Sequence, residues 1–174
     1  MDAVRYIVDT LLWLLMLAFL LRLLFQLVRA DFRDPFADAI VRVTNWLILP
    51  LRRLLPPMRR VDTATVVAVL AAATVHSAAL LALGPGIVDP TLLAVITVKS
   101  LLDMILRIYL FALLLYWLMS VLAPGAYAPG TRLLAQLCEP VLRPVRRIIP
   151  PIGQIDFSIL WVSIAIGALL ILLR

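Results

Sequence analysis

Pro50-Leu51-Arg52-Arg53-Leu54-Leu55-Pro56-Pro57-Met58-Arg59-Arg60-Val61-Asp62 and Pro144-Val145-Arg146-Arg147-Ile148-Ile149-Pro150-Pro151-Ile152-Gly153-Gln154-Ile155-Asp156 are two versions of one stretch. Proline, Arg-Arg, Pro-Pro and aspartate recur 94 residues apart without a gap, and each version ends where a long apolar run begins. The chain therefore reads as a doubled unit. Around these stretches the composition decides the class. With 64% hydrophobic residues over 174 and a mean hydropathy of +1.09, the chain is too apolar for a soluble core. Membrane helices, each needing about 20 apolar residues to cross the hydrocarbon layer, account for it.

Outward from the first copy, an apolar segment from about Ile7 to Val28 precedes the polar run Arg29 to Pro35. Arg22, near its end, can snorkel to the headgroups. Residues 36–55 are too polar to cross. Phe36, Ile40, Val43, Leu47, Leu51 and Leu54 fall at steps of three and four, opposite Asp38, Arg42, Asn45, Arg52 and Arg53. This pattern predicts an amphipathic helix in the membrane interface, kinked or broken at Pro50 and stopped by Pro56-Pro57. Thr63 to Leu83 then carries no formal charge and spaces Ala64, Ala68 and Ala72 by four, which lets membrane helices approach closely. Gly84-Pro85-Gly86 and Asp89-Pro90 form the connector.

The second half repeats this plan. A third span is expected from about Leu101 to Ala123, ended by Pro124-Gly125, and an interfacial helix from Arg132. In that helix Arg132, Gln136, Glu139, Arg143, Arg146 and Arg147 are polar, while Leu134, Leu137, Val141, Val145 and Ile148 are apolar. A fourth span, Phe157 to Leu173, follows. The predicted fold is an all-α membrane protein of four transmembrane helices, built as two parallel repeats, 1–90 and 91–174, each span, amphipathic helix, span. The N-terminus lacks a cleavage site after a short apolar region and is read as a retained span. Of 16 basic residues, seven lie between Arg29 and Arg60 and four between Arg132 and Arg147, which places both segments in the cytoplasm.

The charged residues supply the candidate sites. Arg52, Arg53, Arg146 and Arg147 are candidates for binding anionic lipid headgroups or an acidic partner. Each interfacial cation near an anionic surface contributes about 1 kcal/mol, and arginine grips phosphate bidentately. The same side chains also serve plain anchoring and topology. Asp62 and Asp156 stand where N-caps belong; an ion pair with the nearby Arg-Arg is the alternative role. Asp9, Asp103 and Arg107 are ionisable groups in spans, suspects by default, yet Arg5–Asp9, Lys99–Asp103 and Asp103–Arg107 can each pair along one helix. His76 is the one histidine and suits a bond between helices; with Cys138 the one cysteine, neither a disulfide framework nor a His or Cys metal cluster is available. No catalytic motif appears, so no enzyme, cofactor or metal is expected. Nucleic acid is not expected either, since no aromatic or groove-reading element joins the basic face.

Arg29-Ala30-Asp31-Phe32, Asp34-Pro35-Phe36, Pro50-Leu51-Arg52-Arg53-Leu54-Leu55-Pro56 and Ile155-Asp156-Phe157-Ser158 resemble the YggT family, also called YlmG, across nearly the whole chain. The resemblance implies a small multi-pass protein of the bacterial inner membrane, with related forms in chloroplasts. It also implies several roles: hyperosmotic tolerance with a link to potassium uptake, distribution of division components or nucleoids, and assistance in attaching haem to a plastid b-type cytochrome. Arg59 stands where the motif's glycine is present as Gly153, so the first turn is expected to differ. Two functions compete: a membrane-organising or assembly and stress-tolerance factor acting through the basic helices, and an oligomeric ion (potassium) transport or channel component. The first binds lipids or a membrane-protein partner, or a second copy of itself.

Overall fold

The computed structural model describes residues 2–55, 62–83, 89–122, 130–149 and 156–173. Among these residues it is all-helical, with six helices: α1 (Asp2–Leu27), α2 (Pro35–Leu54), α3 (Thr63–Ala82), α4 (Pro90–Leu122), α5 (Thr131–Arg146) and α6 (Phe157–Leu172). α1, α3 and α4 are long and apolar enough to cross a membrane. The expected fourth span forms α6, an apolar helix of 16 residues, about 24 Å long and short of the usual spanning length.

α1, α2 and α3 touch one another, α4, α5 and α6 touch one another, and α3 meets α4 between the two groups. α1 and α3 run antiparallel: Gln26 Nε2 donates to Thr65 Oγ1 at one end, and His76 Nε2 lies 2.9 Å from Asp9 Oδ1 at the other. Their contact is the most extensive in the molecule, because Ala64, Ala68, Ala72 and Ala73 of α3 are buried and keep the backbones close. The core continues through Met16, Phe19 and Leu20 of α1 and Met104 and Leu113 of α4.

The short helices lie at one end of this bundle. The Gly130 amide donates to Asp34 Oδ2, and the Asp31 amide donates to Gln136 Oε1, so the α1–α2 turn touches the start of α5. Asp34 also caps α2 through the Phe36 amide. Gly130 has a φ of +85°, and a Cβ there would meet the Phe36 ring at 3.1 Å; glycine satisfies both the backbone and the space.

Three expectations need correction. Pro50 neither breaks nor ends α2, which runs on to Leu54. A proline one turn from the end deletes a single backbone bond, and Ile48 and Leu51 on either side hold the helix against the core. α5 likewise contains Pro140 and Pro144. The third apolar helix starts not near Leu101 but at Pro90, giving 33 residues: residues 90–100 carry only Lys99 as a charge, Pro90 suits a first helical turn, and Asp89 accepts from the Thr91 amide. Third, Arg22 does not snorkel; it is 2% exposed. The Pro56-Pro57 and Pro150-Pro151 stops, Arg59, Gly153, Gly84-Pro85-Gly86 and Pro124-Gly125 lie outside the described residues.

Candidate functional site

Adjacent helical residues point about 100° apart, so only one arginine of each Arg-Arg pair can face the aspartate that opens the next helix. The same one does so twice. Arg52 Nε and Nη2 donate to Asp62 Oδ2 at 2.8 and 2.6 Å. Arg146 Nε and Nη2 meet Asp156 Oδ2 at 2.8 and 2.7 Å. Each pair joins a short helix to the apolar helix after it. Arg53 and Arg147 are exposed and make no hydrogen bond or ion pair within the described residues, as does Arg143.

The aspartates differ in their second task. Asp156 accepts from the Ser158 amide at 3.0 Å, an N-cap. Asp62 makes no side-chain cap bond: its carboxylate is drawn to Arg52 and to the Thr65 hydroxyl at 2.8 Å, and its backbone carbonyl takes the Thr65 and Val66 amides instead. Burial pushes the Asp62 carboxyl up, but the bonds from Arg52 and Thr65 outweigh it and hold the group below the ordinary carboxylate range.

Around the clamps lie contacts that the sequence pattern did not predict, two of them through Thr44 and Tyr116, which it did not single out. Arg22 Nη1 donates to Thr44 Oγ1 at 2.6 Å and to Asn45 Oδ1 at 2.9 Å, tying α1 to α2 through a buried guanidinium. The signal was present: Thr44 and Asn45 are polar residues at the depth where α2 crosses the end of α1. In the second half, Arg146 Nη1 reaches Glu139 and Nη2 reaches the Tyr116 hydroxyl. Tyr116 stands 94 residues after Arg22, and Cys138 and Glu139 stand 94 after Thr44 and Asn45, so the same slots hold different polar groups. Cys138 is fully buried, and burial pushes its thiol up to about 12.

Asp9 faces His76 across the α1–α3 contact, not Arg5 on its own helix. Asp103 and Arg107 pair one turn apart on α4, through Nε and Nη2. Neither pair adjoins the clamps. Among the described residues no group of three His, Cys, Asp or Glu side chains could hold a metal ion.

The CCB3/YggT family model matches residues 1–83 and 95–174. The chain is 38% identical over 169 residues to the uncharacterized protein PA0392 of Pseudomonas aeruginosa, covering 94% of this chain and 84% of the relative. It is 31% identical over 163 residues to the uncharacterized protein YggT of Escherichia coli K12, covering 91% and 82%. A protein in the proC 3′ region of Vibrio alginolyticus is 30% identical over 166 residues, covering 92% and 87%. No solved structure matches the chain. The match over both halves, together with relatives similar along most of their length, means that this chain belongs to the CCB3/YggT family.

Proposed function

We propose that this protein is a non-enzymatic membrane-organising factor, of use in assembly or stress tolerance, that holds anionic lipid headgroups on two cytoplasmic basic helices. In this reading α6 crosses the bilayer as a short fourth span, the halves are parallel repeats of the bacterial inner membrane, and α2 and α5 lie in its cytoplasmic interface. The supporting observation is the division of labour in each Arg-Arg. Arg52 and Arg146 are engaged by Asp62 and Asp156, while Arg53 and Arg147 stay exposed at equivalent positions. The first arginine fixes the helix; the second is presented to phosphate.

Spin-labelled phosphatidylglycerol and phosphatidylcholine in reconstituted bilayers test it. The expected result is a larger immobilised fraction for phosphatidylglycerol, lost in Arg53→Gln/Arg147→Gln and weakened by high salt, as screening requires. Arg52→Gln/Arg146→Gln should lower thermal stability instead. A headgroup preference unchanged in Arg53→Gln/Arg147→Gln rejects the proposal.

A second reading, ion transport by an oligomer, draws on the Asp9–His76 and Asp103–Arg107 pairs carried within α1, α3 and α4. It requires potassium flux into sealed vesicles above an empty-vesicle control, reduced by Asp103→Asn; flux at the control level removes it.

A further inference from the structure

α2 has two apolar sides, and the bundle covers only one. Ala37, Thr44 and Ile48 are buried where α2 packs on α1 and α3. About 100° round the helix from them, Phe36, Val43 and Leu54 form a flank that is exposed, and Trp46 beside it is exposed too. Asp38, Arg42 and Asn45 lie on the other flank. The second half has no such side. Its matching positions, 94 residues on, are Gly130, Leu137, Pro140 and Ile148. Gly130 and Leu137 are buried, and Ile148 is the one large exposed apolar side chain of the four.

Contacts with α1 fix the depth of the α2 flank. The apolar run of α1 follows Arg5, and α1 is long enough to cross a membrane. With Arg5 at one edge of a hydrocarbon layer about 30 Å thick, a helix rising about 1.5 Å per residue reaches the other edge near Phe25. Phe19 then stands about 9 Å inside that edge. Its ring and that of Trp46 are 6.5 Å apart, centroid to centroid, so the indole is inside the edge as well. A tilted α1 needs more residues to cross and places Phe19 deeper still. Arg22 lies close to the same boundary, and its guanidinium takes Thr44 and Asn45 of α2 as partners there. The middle of α2 is therefore level with the boundary. An apolar flank at that depth, with no protein over it, meets acyl chains.

We propose that α2 is sunk into one leaflet, with Phe36, Val43, Trp46 and Leu54 docked among acyl chains while Asp38 and Arg42 stay at headgroup level. Only the first half carries this flank, so the protein displaces lipid on one side, a mode of binding that responds to lipid packing and curvature. The proposal rests on the interfacial placement of α2 given above, but not on the headgroup preference assigned to Arg53 and Arg147.

Tryptophan quenching of the full chain in sealed phosphatidylcholine vesicles tests it. Trp13→Phe/Trp117→Phe/Trp161→Phe leaves Trp46 as the single indole. Bromines on the upper part of the acyl chains should quench it at least twofold more than bromines near the chain ends. Asp38→Trp, added to that chain with Trp46→Phe, is the water-facing reference. Iodide on both faces of the membrane should quench Trp46 at least fivefold less than it quenches this reference. Circular dichroism establishes that each variant is helical, and should the reference chain not fold, the bromine quenching of Trp46 alone decides. Equal iodide quenching at the two positions would put the flank in water and overturn the proposal. Shelter from both iodide and bromine would overturn it too, and would assign the flank to a second copy of the chain. Neither readout involves lipid charge, so a phosphatidylglycerol preference that fails in the spin-label test leaves this quenching pattern unchanged.

Discussion

α3 and α6 occupy corresponding places in the two halves, yet they pack differently. Ala68 and Ala72 of α3 are matched, 94 residues on, by Val162 and Ile166 of α6. α3 lies close along α1, while α6 makes a lesser contact with α4 and leaves a groove at its free side. Polar groups follow the same division. The first half buries Arg22 against Thr44 and Asn45; the second places Tyr116, Cys138 and Glu139 in those slots. One half is a tight wedge around a buried guanidinium, the other a looser one with a phenol, a thiol and a carboxylate in the matching slots. The difference shows how a doubled sequence keeps one joint, the Arg–Asp clamp, while small changes in side-chain volume alter the packing around it.

The largest test exchanges those volumes. Ala68→Val/Ala72→Ile forces second-half residues into the α1–α3 contact, where Ala68 is fully buried. Overpacking costs about 1–3 kcal/mol per site, so the variant should unfold in detergent with a stability loss of several kcal/mol. Val162→Ala/Ile166→Ala, at buried positions, should cost less, because the lesser α4–α6 contact can close over part of the space that smaller side chains leave. Equal losses in the two halves would break the comparison.

The clamps come next. Asp62 is 9% exposed and has no cap to fall back on, whereas the Asp156 side chain is 18% exposed and also caps α6. Breaking a buried pair costs about 3–5 kcal/mol, but Arg52 is 44% exposed, and solvent screening reduces the cost. Asp62→Asn should therefore lose about 2 kcal/mol, and Asp156→Asn, which can keep the cap, about half of that. The pH dependence has a definite sign. Folding lowers the Asp62 carboxyl below its ordinary value of 3.8, so its contribution is present above that value and lost as pH falls through the still lower folded one. Acid titration of wild type should show this loss at the bottom of the range, and Asp62→Asn should abolish it.

Much of this was legible because membrane helices announce themselves by long apolar runs. α1 and α3 fall close to their expected bounds, and α4 departs from its own mainly at its start, where Thr91, Thr97, Lys99 and Ser100 interrupt the six apolar residues that precede Leu101. What periodicity could not give was the partner of each charge. Arg22 stands near a span end, where exposure to headgroups is the simplest outcome, and only the crossing of α2 over α1 turns it inward. Asp9 has Arg5 one turn away, yet the antiparallel approach of α3 brings His76 to 2.9 Å from its carboxylate instead. The Arg-Arg pairs gave the clamp as an alternative; which arginine would be engaged depends on helix phase relative to Asp62 and Asp156, a tertiary fact.

His76 offers a smaller test of the same asymmetry, since the second half has Leu170 in its place. His76→Leu leaves the Asp9 carboxylate without its partner. With the Asp9 side chain 41% exposed, the expected loss is that of one hydrogen bond, about 1 kcal/mol. Asp9→Leu/His76→Leu should recover most of it, because no polar group is then left unmatched. A double variant no more stable than the single one would mean that the pair does not join α1 to α3.

The smallest effect compares Thr44 with Cys138, equivalent and equally buried. The Thr44 hydroxyl accepts from Arg22 and donates to the Ile40 carbonyl, so Thr44→Cys should weaken the α1–α2 joint by about 1 kcal/mol. Cys138→Thr should be near neutral, since a threonine hydroxyl can bond back to the carbonyl four residues earlier in its own helix. Chemistry separates the two positions further. With its thiol pushed up to about 12, Cys138 holds almost no thiolate at pH 8, and the thiolate is the nucleophile. Iodoacetamide should label it at least tenfold more slowly in the folded chain than after denaturation. Fast labelling of the folded protein would mean that α5 leaves the α4–α6 face often enough to expose it. The looser half would then be loose in motion as well as in packing.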